Sequence, residues 1–181
     1  MAKILFATTN RNKIEETLEI LGVEIEPIWL NIDEVQTLDP IECVEKKAEV
    51  AYSLVGKPVL VEDTSLFFDA WNGLPGVFID YFMKSVGNEG IFKMLGRGSN
   101  RNAKAQTSVC YYDGISKVSA VGIVRGEISK EIRGDYGFGW DPIFIPQGFT
   151  KTFAELGGDI KNNVSMRKIA LEKLRKRLKF I

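Results

Sequence analysis

The chain contains no histidine. A histidine general base, a Ser-His-Asp or Cys-His arrangement and an imidazole metal ligand are all excluded, so any hydrolysis must run on carboxylates, lysines and a hard metal. It has only two cysteines, Cys43 and Cys110, too few and too far apart to indicate a disulfide scaffold or a zinc site; buried free thiols are expected. Charge of neither sign is in excess, with 24 basic against 24 acidic side chains, and no global field points to a nucleic acid or membrane partner. No apolar run approaches about 20 residues and no signal-peptide pattern precedes the first apolar stretch, so a cytoplasmic protein with no membrane partner is expected. Repeats, low-complexity tracts and linkers are also missing. A length of 181 residues then fits one domain, 1–181, with room for two lobes around a cleft.

What is present alternates strand and helix signals. A strand near 4–7 is followed by a helix at about 11–21, a strand in "VEIEPIWL" and a polar loop, "NIDEVQTLDP". Asp39, Pro40 and Glu42 form a helix start signal for a segment running to about Leu54. "KPVLVEDTSLFF" reads as a short buried strand ending in two carboxylates, with two short helices beyond it, the second introduced by Asn88. Two β-rich runs between Ala103 and Arg133 are joined by Asp113-Gly114, a hairpin turn. In "SMRKIALEKLRKRLKF" Ile169, Leu171, Leu174 and Leu178 recur at helical spacing among basic residues. The pattern argues for an α/β protein with a mixed sheet.

Three stretches carry chemistry. In "ILFATTNRNKIEE", 4–16, Asn10 introduces a helix whose first turn holds Arg11 and Lys13, although free N–H groups and the macrodipole favour negative charge there. Either Asn10 is an ordinary cap with both cations in water, or a multiply charged anion sits at the turn; the stretch is not a P-loop. In "VEDTS", 61–65, Glu62 and Asp63 end a strand, where ligands collect in open α/β sheets. With Asp33 and Glu34 in the preceding loop they suit a hard cation, or are simply solvated acids. In "RGDYGFGWDPIFIP", glycines alternate with Phe138 and Trp140 ahead of Asp141. That is a loop able to stack on a flat ring, or a tight turn with core aromatics. Further on, Lys161, Ser165 and Arg167 precede or open the final helix. Ser165 is a natural cap, and Arg167 repeats the puzzle of Lys13.

"TTNRNK", "VEDTSLFF", "GLPGVF", "GFGWDPIF", "KTFAEL" and "KNNVSMRKIAL", in this order over nearly the whole chain, resemble the inosine triphosphate pyrophosphatase family. The resemblance implies an α/β fold with an elongated mixed sheet, flanking helices and two lobes around a central nucleotide-binding cleft, as a homodimer. It also implies Mg²⁺-dependent hydrolysis of a nucleoside triphosphate between the α and β phosphates, with Mn²⁺ as a substitute ion. By position, Thr8, Asn10, Lys13 and Lys47 are implied to hold the substrate's phosphates, with Thr9 and Thr64 as further substrate-binding residues. Asp63 and Lys13 are the implied catalytic residues, and Glu34, Glu62 and Asp63 the implied metal ligands. Phe138, Trp140, Asp141, Lys161 and Arg167 are implied to form the base pocket, with Gly139 and Ser165 as further substrate-binding residues. The chain departs from the family at S-M-R in place of S-H-R, where Met166 replaces a histidine that reads the purine 6-keto group. Ser65 and Asp80 depart as well, from a glycine and from a lysine of eukaryotic-type relatives. Two alternatives follow: a related pyrophosphatase of altered or broad base specificity, and a non-catalytic nucleotide- or RNA-binding protein using its basic tail.

Overall fold

The computed structural model describes residues 3–96, 98 and 100–178. The elements in order are β1 (Ile4–Ala7), α1 (Arg11–Leu21), β2 (Ile25–Ile28), α2 (Pro40–Val55), β3 (Val59–Phe68), β4 (Pro75–Gly76), α3 (Ile79–Ser85) and α4 (Gly87–Leu95). They continue with β5 (Asn102–Tyr112), β6 (Lys117–Ile128), β7 (Phe144–Pro146), α5 (Phe153–Val164) and α6 (Met166–Leu178). The strands form one mixed sheet in the order β2-β1-β3-β5-β6-β7, with β4 paired to β3. β1 is parallel to both β2 and β3, while β4 and β7 pair antiparallel to β3 and β6. The expected mixed sheet with flanking helices is therefore present.

The chain divides into two compact units, Met1–Asp63 with Thr107–Gly122 and Met166–Ile181, and Thr64–Gln106 with Ile123–Ser165. In the first unit the pleat of the strands sorts the core into two layers. Ile4 and Phe6 of β1, Leu60 of β3 and Val109 of β5 pack with Leu21 of α1 and with Ala170, Leu171, Leu174 and Leu178 of α6. Ala7, Val59, Val61 and Cys110 face the other way, under Val44, Ala48 and Ala51 of α2. Helix starts and stops follow the sequence: Asp39 Oδ1 accepts the Ile41 N–H at 2.8 Å, and Gly22 and Gly56 close α1 and α2 in left-handed conformations. Asp113 Oδ1 accepts from the N–H groups of Ile115 and Ser116, fixing the turn between β5 and β6.

The second unit is built on aromatic packing. Trp140 stands edge-on to Phe144 at 5.6 Å between centroids, and Phe144 lies 5.2 Å from Phe153. A reciprocal capping box of Thr152 and Glu155 starts α5.

Two expectations need correction. β3 does not end at Glu62 and Asp63 but runs on to Phe68, because Leu66 and Phe67 find an antiparallel partner in β4. α4 begins at Gly87, one residue before Asn88, whose Nδ2 instead donates to the Gly139 carbonyl at 3.0 Å. Ser165 closes α5 in an extended conformation, its N–H donating to the Lys161 carbonyl at 2.8 Å, and stands immediately before α6, in the cap position that the sequence suggested.

α6 lies directly on β6 at Gly122, where an added Cβ would stand 1.8 Å from the Met166 carbonyl oxygen and 2.6 Å from the Ala170 nitrogen. Both obstacles are backbone and cannot rotate away. Gly122→Ala is expected to destabilise the protein by about 3 kcal/mol; a urea-denaturation midpoint equal to that of the parent chain would refute this packing.

Candidate active site

The site is laid out by two facts of topology. First, β1 is the strand from which the chain proceeds to β2 on one side and β3 on the other. The carboxyl end of such a switch-point strand opens a crevice suited to ligands. Thr8, Thr9 and Asn10 lie there. Thr8 Oγ1 accepts the Asn10 N–H at 3.1 Å, and Asn10 Oδ1 accepts the Lys13 N–H at 3.3 Å, so Asn10 is the N-cap of α1 and Thr8 steadies it.

Second, consecutive residues of a strand point to opposite faces. Glu62 falls on the side of Leu60 and Asp63 on the side of Val61, so the two carboxylates expected to share a metal are parted by the sheet. Glu62 meets cations. Its Oε1 and Oε2 each accept from the Arg167 guanidinium at 2.8 Å, a forked pair, and Lys13 Nζ stands 3.4 Å from Oε1. Arg167 also donates through Nη1 to Glu16. Burial at 1 % exposure works against the arginine's charge, but Glu62 and then Glu16 outweigh it and hold the guanidinium protonated above its ordinary range. Both cations that sat oddly at helix starts, Lys13 on α1 and Arg167 on α6, thus converge on one carboxylate. Glu62, expected as a metal ligand, here gives both oxygens to Arg167, and three donors of Arg167, expected at a nucleobase, go to acids.

Asp63, on the α2 side, lies in the other group. Oxygens of Glu34 and Asp63 and the Cys43 sulfur all lie within 4.8 Å of one another. Lys47 Nζ donates to Glu34 Oε1 at 2.5 Å and reaches the Glu62 carbonyl oxygen at 3.5 Å. Burial pulls the Lys47 pKa down, but attraction to Glu34 and Asp63 more than offsets it and the ammonium titrates above its usual value. Burial, with Asp63 and Glu34 nearby, pushes the Cys43 thiol up to about 12. A magnesium-type ion fits the two carboxylates, since such ions take oxygen ligands, keep several waters and need only one or two protein carboxylates beside phosphate oxygens. Asp33 is exposed and takes no part in this group.

In the second unit, Lys161 Nζ bonds Asp141 Oδ2 at 2.6 Å and stands 4.7 Å from the Phe138 ring centroid. The same Asp141 oxygen accepts the Phe138 N–H at 2.8 Å. Gly137 is required here, because a Cβ would fall 2.2 Å from that oxygen and φ is +85°. Lys161, Phe138 and Asp141 are therefore brought together as expected. Trp140 is buried against Phe144 and Phe153, a core position rather than an exposed stacking face, while Gly139 is exposed, Thr64 half-buried and Ser165 buried.

Glu16 was missed by sequence reasoning, and so was the position of Cys43 beside the carboxylates. Spacing held both signals: Glu16 lies three residues after Lys13, and Cys43 four before Lys47, each on the same helical face as a residue already singled out. Two members of the basic run of α6 bond the backbone of β6. Lys173 donates to the Val121 carbonyl at 2.8 Å and Arg177 to that of Ser119; Lys179 lies outside the described residues.

The model of the Ham1 family matches residues 4–177. A Methanopyrus kandleri protein named dITP/XTP pyrophosphatase is 43 % identical, over 94 % of this chain and 93 % of its own. An inosine triphosphate pyrophosphatase from Scheffersomyces stipitis is 42 % identical, over 97 % of each. The solved structure of a HAM1 protein from Coxiella burnetii superposes with a TM-score of 0.85 at 30 % identity, covering 100 % of both chains.

Arg167→Met would leave Glu62 and Glu16 buried without their guanidinium, an expected loss of roughly 3–5 kcal/mol. Adding Glu62→Gln and Glu16→Gln should recover part of it. Urea denaturation of the single and triple variants measures both steps, and a single variant as stable as the parent would overturn the account of this network.

Proposed function

The chain belongs to the Ham1 family, and on that premise we propose that it hydrolyses deaminated purine nucleoside triphosphates, ITP, dITP and XTP, to the monophosphate and pyrophosphate. The observation that carries the reading is the Glu34–Asp63 pair with Lys47 at its edge, on the chain that also folds T-x-N-x-x-K into a capped helix start. Thr8, Thr9, Asn10 and Thr64 would donate to phosphate oxygens. Lys13 and Lys47 would exchange their carboxylate partners, Glu62 and Glu34, for the charge that builds on the departing pyrophosphate. Asp63 would hold the attacking water and accept its proton. Mg²⁺, or Mn²⁺ in its place, held by Glu34 and Asp63 would supply polarisation of that water and neutralisation of phosphate charge. Recognition of the base falls to Phe138, Gly139, Asp141, Lys161 and Ser165. Arg167 serves by fixing Glu62. The proposal extends to a single nucleotide pyrophosphatase domain acting as a homodimer in the cytoplasm; for the membrane, no described helix is long and apolar enough to cross one.

One observation favours a second reading with the same reaction and a broader choice of base. Met166 is buried at 2 % exposure, a thioether offers no donor to a purine carbonyl, and three donors of Arg167 are already engaged.

Pyrophosphate release measured with Mg²⁺ across inosine, xanthosine, adenosine, guanosine, cytidine and uridine triphosphates separates the two. Preference for inosine and xanthosine is expected, whereas equal turnover of all six supports the broader reading. Asp63→Asn should lower the rate by about 100-fold or more, and a chelator should abolish it until Mg²⁺ is restored. Full activity in Asp63→Asn would sink the mechanism.

A further inference from the structure

The α2 face of β3 contains a donor that a magnesium-type ion does not use. Cys43 is 3 % exposed, makes no hydrogen bond among the described residues, and holds its sulfur within 4.8 Å of carboxylate oxygens of both Glu34 and Asp63. The other thiol shows the contrast: Cys110 packs among Val59, Val61 and Ala48, reaches the Tyr111 carbonyl at 3.8 Å and bonds the Ser119 side chain. Lys47 bonds one Glu34 oxygen, Oε1, which leaves Oε2 of the same carboxylate for another partner.

One sulfur and two carboxylate oxygens converging from separate elements, a loop, a helix and a strand, match the three protein ligands of an open tetrahedral site. Oxygen alone suits Mg²⁺, but a thiolate shifts preference toward zinc and its heavier congener, and affinities of such N/O/S sites rise along the divalent series toward zinc and copper. Donors around a tetrahedral ion of this size sit about 3.5 Å apart, so closure needs a contraction of about 1 Å. Glu34, half-exposed on its loop, can supply it.

We propose that Glu34, Cys43 and Asp63 form a site for a thiophilic divalent cation, which displaces a magnesium-type ion from the same two carboxylates. As the metal–sulfur bond forms, the S–H proton passes to water and the metal keeps its charge state. The fourth position stays open to water. The inference rests on the reading of Glu34 and Asp63 as metal carboxylates and makes no use of the hydrolytic step.

Cadmium chloride, titrated into the full chain with no nucleotide and a phosphine reductant, is the test, read as thiolate-to-cadmium absorption in the ultraviolet. One band saturating at one ion per chain is expected. It should vanish in Cys43→Ser, persist in Cys110→Ser, and require at least about tenfold more cadmium in Glu34→Gln. Excess Mg²⁺ should raise the cadmium needed for saturation. A band that survives Cys43→Ser, a band lost in Cys110→Ser instead, or no band in the parent chain overturns the proposal. If Cys43→Ser fails to fold by circular dichroism, the Glu34→Gln shift decides alone, and an unchanged titration there overturns it. A chain that gives the band without releasing pyrophosphate overturns the proposed hydrolysis only; an active chain without the band overturns this site only.

Discussion

The pleat of β3 is the constraint on which the first unit's chemistry depends. Because neighbouring side chains of a strand leave on opposite sides, Glu62 and Asp63 cannot serve one centre. Leu60 and Glu62 belong to the side of α1 and α6, Val61 and Asp63 to the side of α2. One dipeptide therefore places a carboxylate in each layer, Glu62 against Arg167 and Asp63 near Glu34. Lys47 touches both, reaching the Glu62 carbonyl oxygen as well as the Glu34 side chain.

On the structural side, the network obeys the general cost of buried charge. A guanidinium removed from water is tolerable only where its planar fork is met by acceptors in matching geometry, and Glu62 meets it with two oxygens at 2.8 Å. The same carboxylate offsets the repulsion between Lys13 and the positive start of α1, and between Arg167 and that of α6. Two unfavourable local choices become favourable through one shared partner. On the α2 side, Asp63 and Glu34 lie close to the Cys43 thiol and the Lys47 ammonium.

Much of the architecture was legible in local signals. Asn10, Asp39-Pro40-Glu42 and Asp113-Gly114 each act within three residues, and each appears in the structure where spacing placed it. The family resemblance carried the rest of the fold. What stayed hidden depended on partners distant in sequence or on the side chain's direction. β3 seemed to end at Asp63 because the polar V-E-D-T-S run masks a strand whose continuation is held by β4. Arg167 looked like a reader of ligands because its acids lie 105 and 151 residues away. Trp140 and Phe138, two residues apart in one loop, divide between core and site, and glycine-rich spacing does not say which ring goes where. The opposite facing of Glu62 and Asp63, however, follows from strand periodicity alone and needed no structure.

The 151-residue separation between Glu16 and Arg167 also sets an order of events during folding. Glu16 and Glu62 lie within the first 62 residues, yet the cation that permits their burial belongs to α6. Burying both carboxylates with their cation therefore requires α6 to be docked, and contacts of such long range are slow to close. The second unit's Lys161–Asp141 pair spans only 20 residues and carries no such delay. Closure over a short stretch of chain completes the second unit's pair, whereas the first unit's network is complete only once α6 has docked.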